Sequence, residues 1–260
     1  MITPVKGSPA AILRVGKERI LAVADLHLGI ESWLSRDGIS IPSQSPKIRA
    51  RLLELIDERS PDRLIIIGDL KHGIPVSSWQ EWRELPELLE ELKKHVKVEV
   101  VKGNHDGGIE EMLPSGVIIH DAHGTIVGKR VGLMHGHTWP SPSMLKTSVI
   151  LLGHIHPSVE FRDKMGGRAT APVWLRCTMN PEKMPKKIEK HAGKKLPKLI
   201  VLPAFSDLVG YAPVNREMPG ELIGPLFRSG VVNLSDAEVY MLDGTFVGKV
   251  NDMKKRNQFR

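Results

Sequence analysis

Five short clusters of histidine, aspartate and asparagine punctuate this sequence, each at the end of an apolar run. They are Asp25-Leu26-His27, Gly68-Asp69, Gly103-Asn104-His105-Asp106, His135-Gly136-His137 and Gly153-His154-Ile155-His156. Seven of the eleven histidines lie in or beside them, a distribution that scattered structural histidines would not produce. Carboxylate, amide oxygen and imidazole together suit divalent ions such as Mn, Fe or Zn. Two such ions roughly 3.5–4 Å apart can clamp the attacking and leaving oxygens of a phosphoryl displacement. A bridging carboxylate is needed to hold two cations that close. Asp69, at the end of the most apolar run, is the natural candidate. Cys177 is the only cysteine, so neither an internal disulfide nor a thiolate metal site is available, and it reads as a small buried apolar residue.

The apolar runs predict the elements that must carry these clusters. Residues 11–15 and 19–24 read as a strand pair, the second ending at Asp25. Residues 30–45 read as loop, and Ser45-Pro46 opens a helix with Ile48, Leu52, Leu55 and Ile56 on one face. Residues 64–67 are continuously apolar, as expected of a strand buried on both faces, and run into Gly68-Asp69. Ser78 and Glu81 form a capping box that opens a second helix, in which Pro86 is expected to introduce a kink or a break. Trp79 and Trp82 read as core packing along that helix. Further strands are predicted at 96–101, 130–134, 148–152, 238–242 and 245–250, with a turn at Asp243-Gly244, and only short strands between 166 and 203, a stretch rich in Gly, Pro and Lys. In open α/β sheets, sites form beyond the carboxyl ends of strands, so five strand ends far apart in sequence can meet.

In order and spacing the five clusters resemble the signature of the calcineurin-like metallophosphoesterases over residues 25–156. The resemblance implies a four-layer αββα sandwich, with two central mixed β-sheets between outer helices. It implies two divalent ions, Mn first, with Fe or Zn as alternatives. Asp25, His27, Asp69 and His156 would bind one ion, and Asp69, Asn104, His135 and His154 the other. Water activated by the ions would be the nucleophile, so no serine or cysteine nucleophile is required. His105 would contact the phosphate and protonate the leaving oxygen, with Asp106 orienting it. His72, three residues past Asp69, sits where SbcD-type repair nucleases carry a phosphate-positioning histidine. Lys71, Arg36 and His137 lie close enough in sequence to motif residues to touch substrate, with surface or supporting roles as the alternative. Within the superfamily, the chain more closely resembles the branch of the ligase-associated phosphoesterase PdeM and its SbcD-related cousins. That likeness rests on residues 24–29, 41–42, 153–157, 202–206 and 242–244.

Length and composition suit one α/β domain spanning residues 1–260, with a Lys-, Pro- and Gly-rich loop near 180–198. The opening residues lack a secretory apolar stretch and no run is long enough to span a membrane, so a cytoplasmic location is expected. The residues after His156 are expected to complete the second sheet, leaving no room for the DNA-capping domain of SbcD-type nucleases. A net charge of +7 fits a polyanionic partner. Seven lysines lie between 183 and 198, and residues 254–260 add four basic residues. These segments are either solvated surface or contacts to phosphates flanking the scissile one. The preferred substrate is therefore single-stranded or flapped nucleic acid, cleaved as a phosphodiester. A small-molecule nucleotide phosphodiesterase or phosphatase is the alternative within enzymes. A metal-binding scaffold in a DNA-repair complex is the alternative outside them, and no protein partner is indicated.

Overall fold

The computed structural model describes residues 1–163, 165–193, 195–210, 212–216 and 224–258, the last four of these by backbone alone. Among the described residues, a first sheet has strands in chain order: β1 (Ile2–Pro4), β2 (Ala10–Val15), β3 (Glu18–Val23), β4 (Arg63–Ile67), β5 (Lys97–Val101) and β6 (Ile118–His120). From β3 to β6 the pairing is parallel, while β1 and β2 add an antiparallel edge. A second sheet holds β7 (Thr125–Val127), β8 (Val131–Leu133), β9 (Val149–Leu152), β10 (Pro157–Arg162), β11 (Arg168–Cys177), β12 (Lys198–Val201), β13 (Ala212–Pro213), β14 (Glu238–Met241) and β15 (Phe246–Lys249). Its path runs β13-β10-β11-β12-β9-β8-β7, with the β14–β15 hairpin also joined to β11. The helices are α1 (Ile30–Leu34), α2 (Ser45–Arg59), α3 (Trp79–Lys93), α4 (Lys186–Glu189), α5 (Pro225–Arg228) and α6 (Val250–Gln258).

Three apolar layers hold these elements together, so the molecule is a four-layer αββα sandwich. Successive side chains of a strand point to opposite faces, and β4 uses both. Leu64 and Ile66 pack outward against Leu52 of α2 and Leu85 and Leu89 of α3. Ile65 and Ile67 pack inward, against Leu133, Leu151 and Trp174 of the second sheet. On the far side Leu152, Leu175 and Val239 meet Leu226 and Phe227 of α5 and Val250 and Met253 of α6. None of the described helices is long and apolar enough to cross a membrane.

The structure departs from the sequence reading in four places. Residues 30–37 are not loop: α1 and a 3-10 turn at Ser35–Asp37 follow Gly29, whose φ of 83° starts them. One turn is too short for periodicity to reveal. Between 166 and 203, where only short strands were expected, β11 runs for ten residues. Helix α3 continues through Pro86. An internal proline costs roughly 3 kcal/mol, but Leu85, Leu88, Leu89 and Leu92 are buried on that helix, each contributing roughly 1.5–3 kcal/mol. Trp79 and Trp82 are not core, being 74% and 44% exposed. The inward position in that first turn belongs to Glu81.

Glu81 is fully buried and closes the capping box with Ser78. Its carboxylate also accepts the amide N–H of His72 at 2.9 Å and that of Gly73. The loop leaving β4 is thus fastened to the start of α3 by one side chain. Removing it strands several buried donors, each costing roughly 1–3 kcal/mol. Glu81→Ala should therefore lower the urea-unfolding free energy by roughly 3 kcal/mol or more, against about 1 kcal/mol for Ser78→Ala, which loses only a cap. Equal losses for the two variants would contradict the assigned role of Glu81.

Candidate metal centre

The parallel strands β3, β4, β5, β8 and β9 all end on one edge of the sandwich, and the five clusters follow those ends. The loops after β3 and β4 run side by side, Asp25 N–H donating to Gly68 O at 3.1 Å and His27 N–H to Asp69 O at 2.8 Å. From the second sheet, Gly153 N–H donates to His135 O at 3.0 Å, and the His154 amide donates to the Asp25 carboxylate at 3.1 Å. Seven non-glycine residues among those described adopt a left-handed φ, and five are Asp25, His27, Asp69, His154 and His156. Such backbone costs about 1–3 kcal/mol per residue. It is concentrated where side chains must swing off the sheets toward a common point. The motif glycines are needed for space. A Cβ on Gly103 would lie 2.1 Å from Asp69 Oδ1, and one on Gly68 would lie 2.2 Å from His135 Nδ1.

Of the three groups of donor atoms that result, each with its atoms within 4.8 Å of one another, two share Asp69: Asp25, His27, Asp69 and His156; and Asp69, His135 and His154; the third is His27, His72 and His105. In the first, His27 Nε2 lies 3.3 Å from His156 Nε2 and 3.5 Å from Asp69 Oδ2, and His156 Nε2 lies 3.5 Å from Asp25 Oδ1. In the second, His135 Nε2 lies 3.2 Å from Asp69 Oδ2, 3.2 Å from His154 Nδ1 and 3.1 Å from Asn104 Oδ1. Asp69 belongs to both groups. The ring nitrogens facing away are held by carbonyls: His135 Nδ1 by Ile67 at 3.2 Å and His156 Nδ1 by Gly210 at 3.2 Å. Such contacts fix the tautomer and leave Nε2 free to donate its lone pair.

The electrostatics fit a cation. Burial lowers His27 well below its ordinary value, and burial together with His135 takes His154 to about 3, so both stay neutral with lone pairs to offer. Burial also opposes charge on His135, but Asp69, Asp25 and Asp106 outweigh it and push the ring up to about 9. Burial would raise Asp69, yet His135, His27 and His105 hold its carboxyl well below the usual range. The carboxylates thus demand positive charge at this spot. A set of nitrogen and oxygen donors without sulfur suits divalent Mn, Fe or Zn.

Other residues singled out in the sequence fall in varied places. His105 lies at the cluster, its backbone N–H 2.9 Å from Asp69 Oδ1 and its Nε2 3.9 Å from Asp69 Oδ2. Its ring is not oriented by Asp106. Asp106 is fully buried and accepts the amides of Leu70, Lys71 and Gly103 at 2.9, 3.2 and 2.8 Å. The carbonyl of His72 accepts His105 Nδ1–H in its stead. His72 also turns Nδ1 to within 3.1 Å of His27 Nδ1, and burial, with the nearby His105, lowers it to about 4. Lys71 does not face substrate: it is fully buried and its Nζ donates to Gly73 O. Arg36 is exposed, with its guanidinium 4.3 Å from the centre of the Trp33 ring. His137 lies beside the second group, its ring centre 5.3 Å from that of His135.

The lysine segment comes from the opposite end of the second sheet. Lys198 pairs with Val149 at the start of β9, and the two parallel strands run from there toward Val201 and Leu152, before His154. Ile188, Ala192 and Leu196 pack on the outer apolar layer. Lys194, Phe259 and Arg260 lie outside the described residues, as do the side chains of 255–258. Two contributors had no signal in the sequence, the Gly210 carbonyl and Trp33, whose ring meets His72 edge-on; the Ser206 amide, which donates to Asp25 O at 3.2 Å, lies in the 202–206 stretch that carried the family likeness.

A two-sheet sandwich carrying this cluster at its strand ends defines a metallophosphoesterase. Residues 18–177 match the calcineurin-like phosphoesterase family, and the chain belongs to it. It is therefore a hydrolase with metal-dependent phosphoesterase activity. Among solved structures, the nuclease MPE of Pseudomonas putida is similar in fold, with a TM-score of 0.54 and 21% identity over 94% of this chain and 98% of that one. The E. coli phosphoesterase Yfce matches at a TM-score of 0.39 and 16% identity, over 88% of this chain and 97% of that one.

Gly103→Ala provides a local test. The added methyl must displace the Asp69 carboxylate and the Asp69 backbone N, which would lie 2.3 Å from it, so bound divalent metal per chain, read by elemental analysis, should fall. Unchanged metal content would mean that Asp69 can move aside without consequence.

Proposed function

We propose that this chain is a two-metal phosphodiesterase whose substrate is nucleic acid, cleaved where the strand is single or flapped. One observation carries the two-metal reading: Asp69 Oδ2 lies 3.5 Å from His27 Nε2 in one donor group and 3.2 Å from His135 Nε2 in the other. Asp25, His27, Asp69 and His156 would hold one ion, and Asp69, Asn104, His135 and His154 the other, with Mn preferred over Fe and Zn. Such a pair supplies Lewis acidity toward the phosphoryl oxygens and activates water. The nuclease reading is supported by the name of the similar Pseudomonas protein and by the net charge of +7.

The chain's own groups supply proton transfer and orientation. With Nδ1–H donated to the His72 carbonyl, His105 turns Nε2 to the centre; in its imidazolium form it can give the Nε2 proton to the leaving oxygen and return to the neutral Nδ1–H tautomer. His27 needs its Nε2 lone pair for an ion, so its proton sits on Nδ1 and is donated to His72 Nδ1. His72 thereby holds a ligand with its ring and the acid with its carbonyl. It is a positioning residue here.

The substrate class is tested by offering labelled single-stranded DNA, RNA and cyclic dinucleotides with Mn, Mg and Zn side by side. Mn-dependent cleavage of a strand should dominate, and a clear preference for the cyclic dinucleotides would overturn the nuclease reading. Asp69→Asn should abolish turnover and leave one ion or fewer per chain, because a neutral amide at the shared position no longer offsets the repulsion between ions. Full activity with two ions would sink that ligand set. His105→Ala should keep both ions yet lose roughly 10²–10⁴-fold in rate, and less with an aryl diester whose leaving group needs no proton. His72→Ala should instead weaken metal binding by roughly 10–100-fold. A uniform loss across leaving groups in His105→Ala would make His105 a phosphate binder.

A further inference from the structure

Large apolar side chains exposed on this molecule are not evenly spread. Ten are markedly exposed among the described residues, and five of them, Ile39, Ile74, Val76, Trp79 and Trp82, fall between residues 39 and 82. Four of these, Ile74, Val76, Trp79 and Trp82, lie within nine residues at the entrance to α3, and exposed apolar groups that adjoin mark a binding surface, whereas scattered ones need no explanation. Two of the five tryptophans, Trp79 and Trp82, lie in this stretch, and a third, Trp33, precedes it by six residues.

The stretch adjoins the metal centre. The Trp33 ring meets His72 edge-on with centres 6.0 Å apart, and His72 stacks on His105 at 5.2 Å. The start of α3 is fastened to the same loop through the Glu81 carboxylate. Ser32 Oγ donates to Gln80 Oε1 at 2.7 Å, so Trp33 and Trp79 are each one residue from a direct contact between α1 and α3. Each of these two tryptophans also carries an arginine. Arg36 lies 4.3 Å from the Trp33 ring centre, and Arg83, which also donates to Glu84 Oε1 at 2.9 Å, lies 4.9 Å from that of Trp79. Two indole–guanidinium pairs therefore lie on the adjoining helices α1 and α3, the first of them one ring from His105.

Indole faces take up unpaired bases of any sequence, and arginine adds charge for the backbone and a second plane for stacking. A base-paired strand offers no free face to such pairs. We propose that Trp33, Arg36, Trp79, Trp82 and Arg83 form a stacking platform for unpaired nucleotides on the leaving-group side of the scissile phosphate. This rests on the nucleic-acid reading above and gives that reading a substrate-gripping surface other than the lysine segment, which lies at the far end of the second sheet.

The test compares a single-stranded oligodeoxynucleotide with an abasic strand of the same length, which keeps every phosphate and loses every base. Binding is read by fluorescence anisotropy with Mn present, in the His105→Ala chain so that the strand stays intact. The base-bearing strand should bind roughly tenfold or more tighter, and adding Trp79→Ala with Trp82→Ala should bring that ratio toward one. Both tryptophans are exposed, so the fold should survive, as circular dichroism will check. Equal binding of the two strands by the parent, or a preference that survives both substitutions, would overturn the platform while leaving the nuclease reading intact. No binding of either strand would overturn both. Sedimentation adds a further outcome: a dimer that these substitutions convert to monomer would assign the face to a second copy of the chain and overturn the proposal.

Discussion

The Asp69 carboxylate accepts the His105 amide through Oδ1 and turns Oδ2 toward both His27 and His135. On the two-ion reading, a pair of divalent cations roughly 4 Å apart repel by about 17 kcal/mol at an effective dielectric near 20. A carboxylate shared between them is the strongest local offset the site contains. Its position depends on much of the fold. Asp69 follows the central strand β4, whose side chains fill two of the three apolar layers. The glycine at 103 leaves space for its carboxylate, and the flanking loops from β3 and β9 are pinned beside it through Asp25.

Behind this carboxylate, the loop after β4 is held by two acids that meet no substrate. Asp106 collects amides from Leu70, Lys71 and Gly103, and Glu81 collects those of His72 and Gly73. Buried carboxylates satisfied by backbone N–H groups make a loop rigid, and this loop carries both Asp69 and His72. Rigidity matters because His72 serves two neighbours at once, the His27 ring and the His105 ring. The strained φ values at five site residues persist for the same reason: surrounding hydrogen bonds over-determine them.

The two basic or aromatic features that invite a nucleic-acid reading are not equivalent once placed in space. The lysine segment is dense in charge but enters the second sheet from the end away from His154. The tryptophan–arginine pairs have fewer charges, but the first of them is one ring away from His105. Proximity to the chemistry favours the pairs, since a contact to a flanking nucleotide must lie within reach of the scissile phosphate.

The local chemistry of this protein was written in its sequence. The donor residues, the glycines beside them, the capping box of Ser78 and Glu81 and the doubly buried run before Asp69 all depend on neighbours within a few positions; the capping box and the buried run form as read, and the donor residues gather at one edge of the sandwich. What the sequence could not specify were relations between segments far apart. That Glu81 rather than Trp79 faces inward follows from the amides that the β4 loop brings to it. That His105 is held by the His72 carbonyl, and Asp106 by three amides, follows from how two loops cross. The side of the sheet from which the lysines approach follows from the pairing of β12 with β9. Periodicity and motif report the face and type of a residue, but partners across a sheet are chosen by register and loop path, which only the packed chain defines.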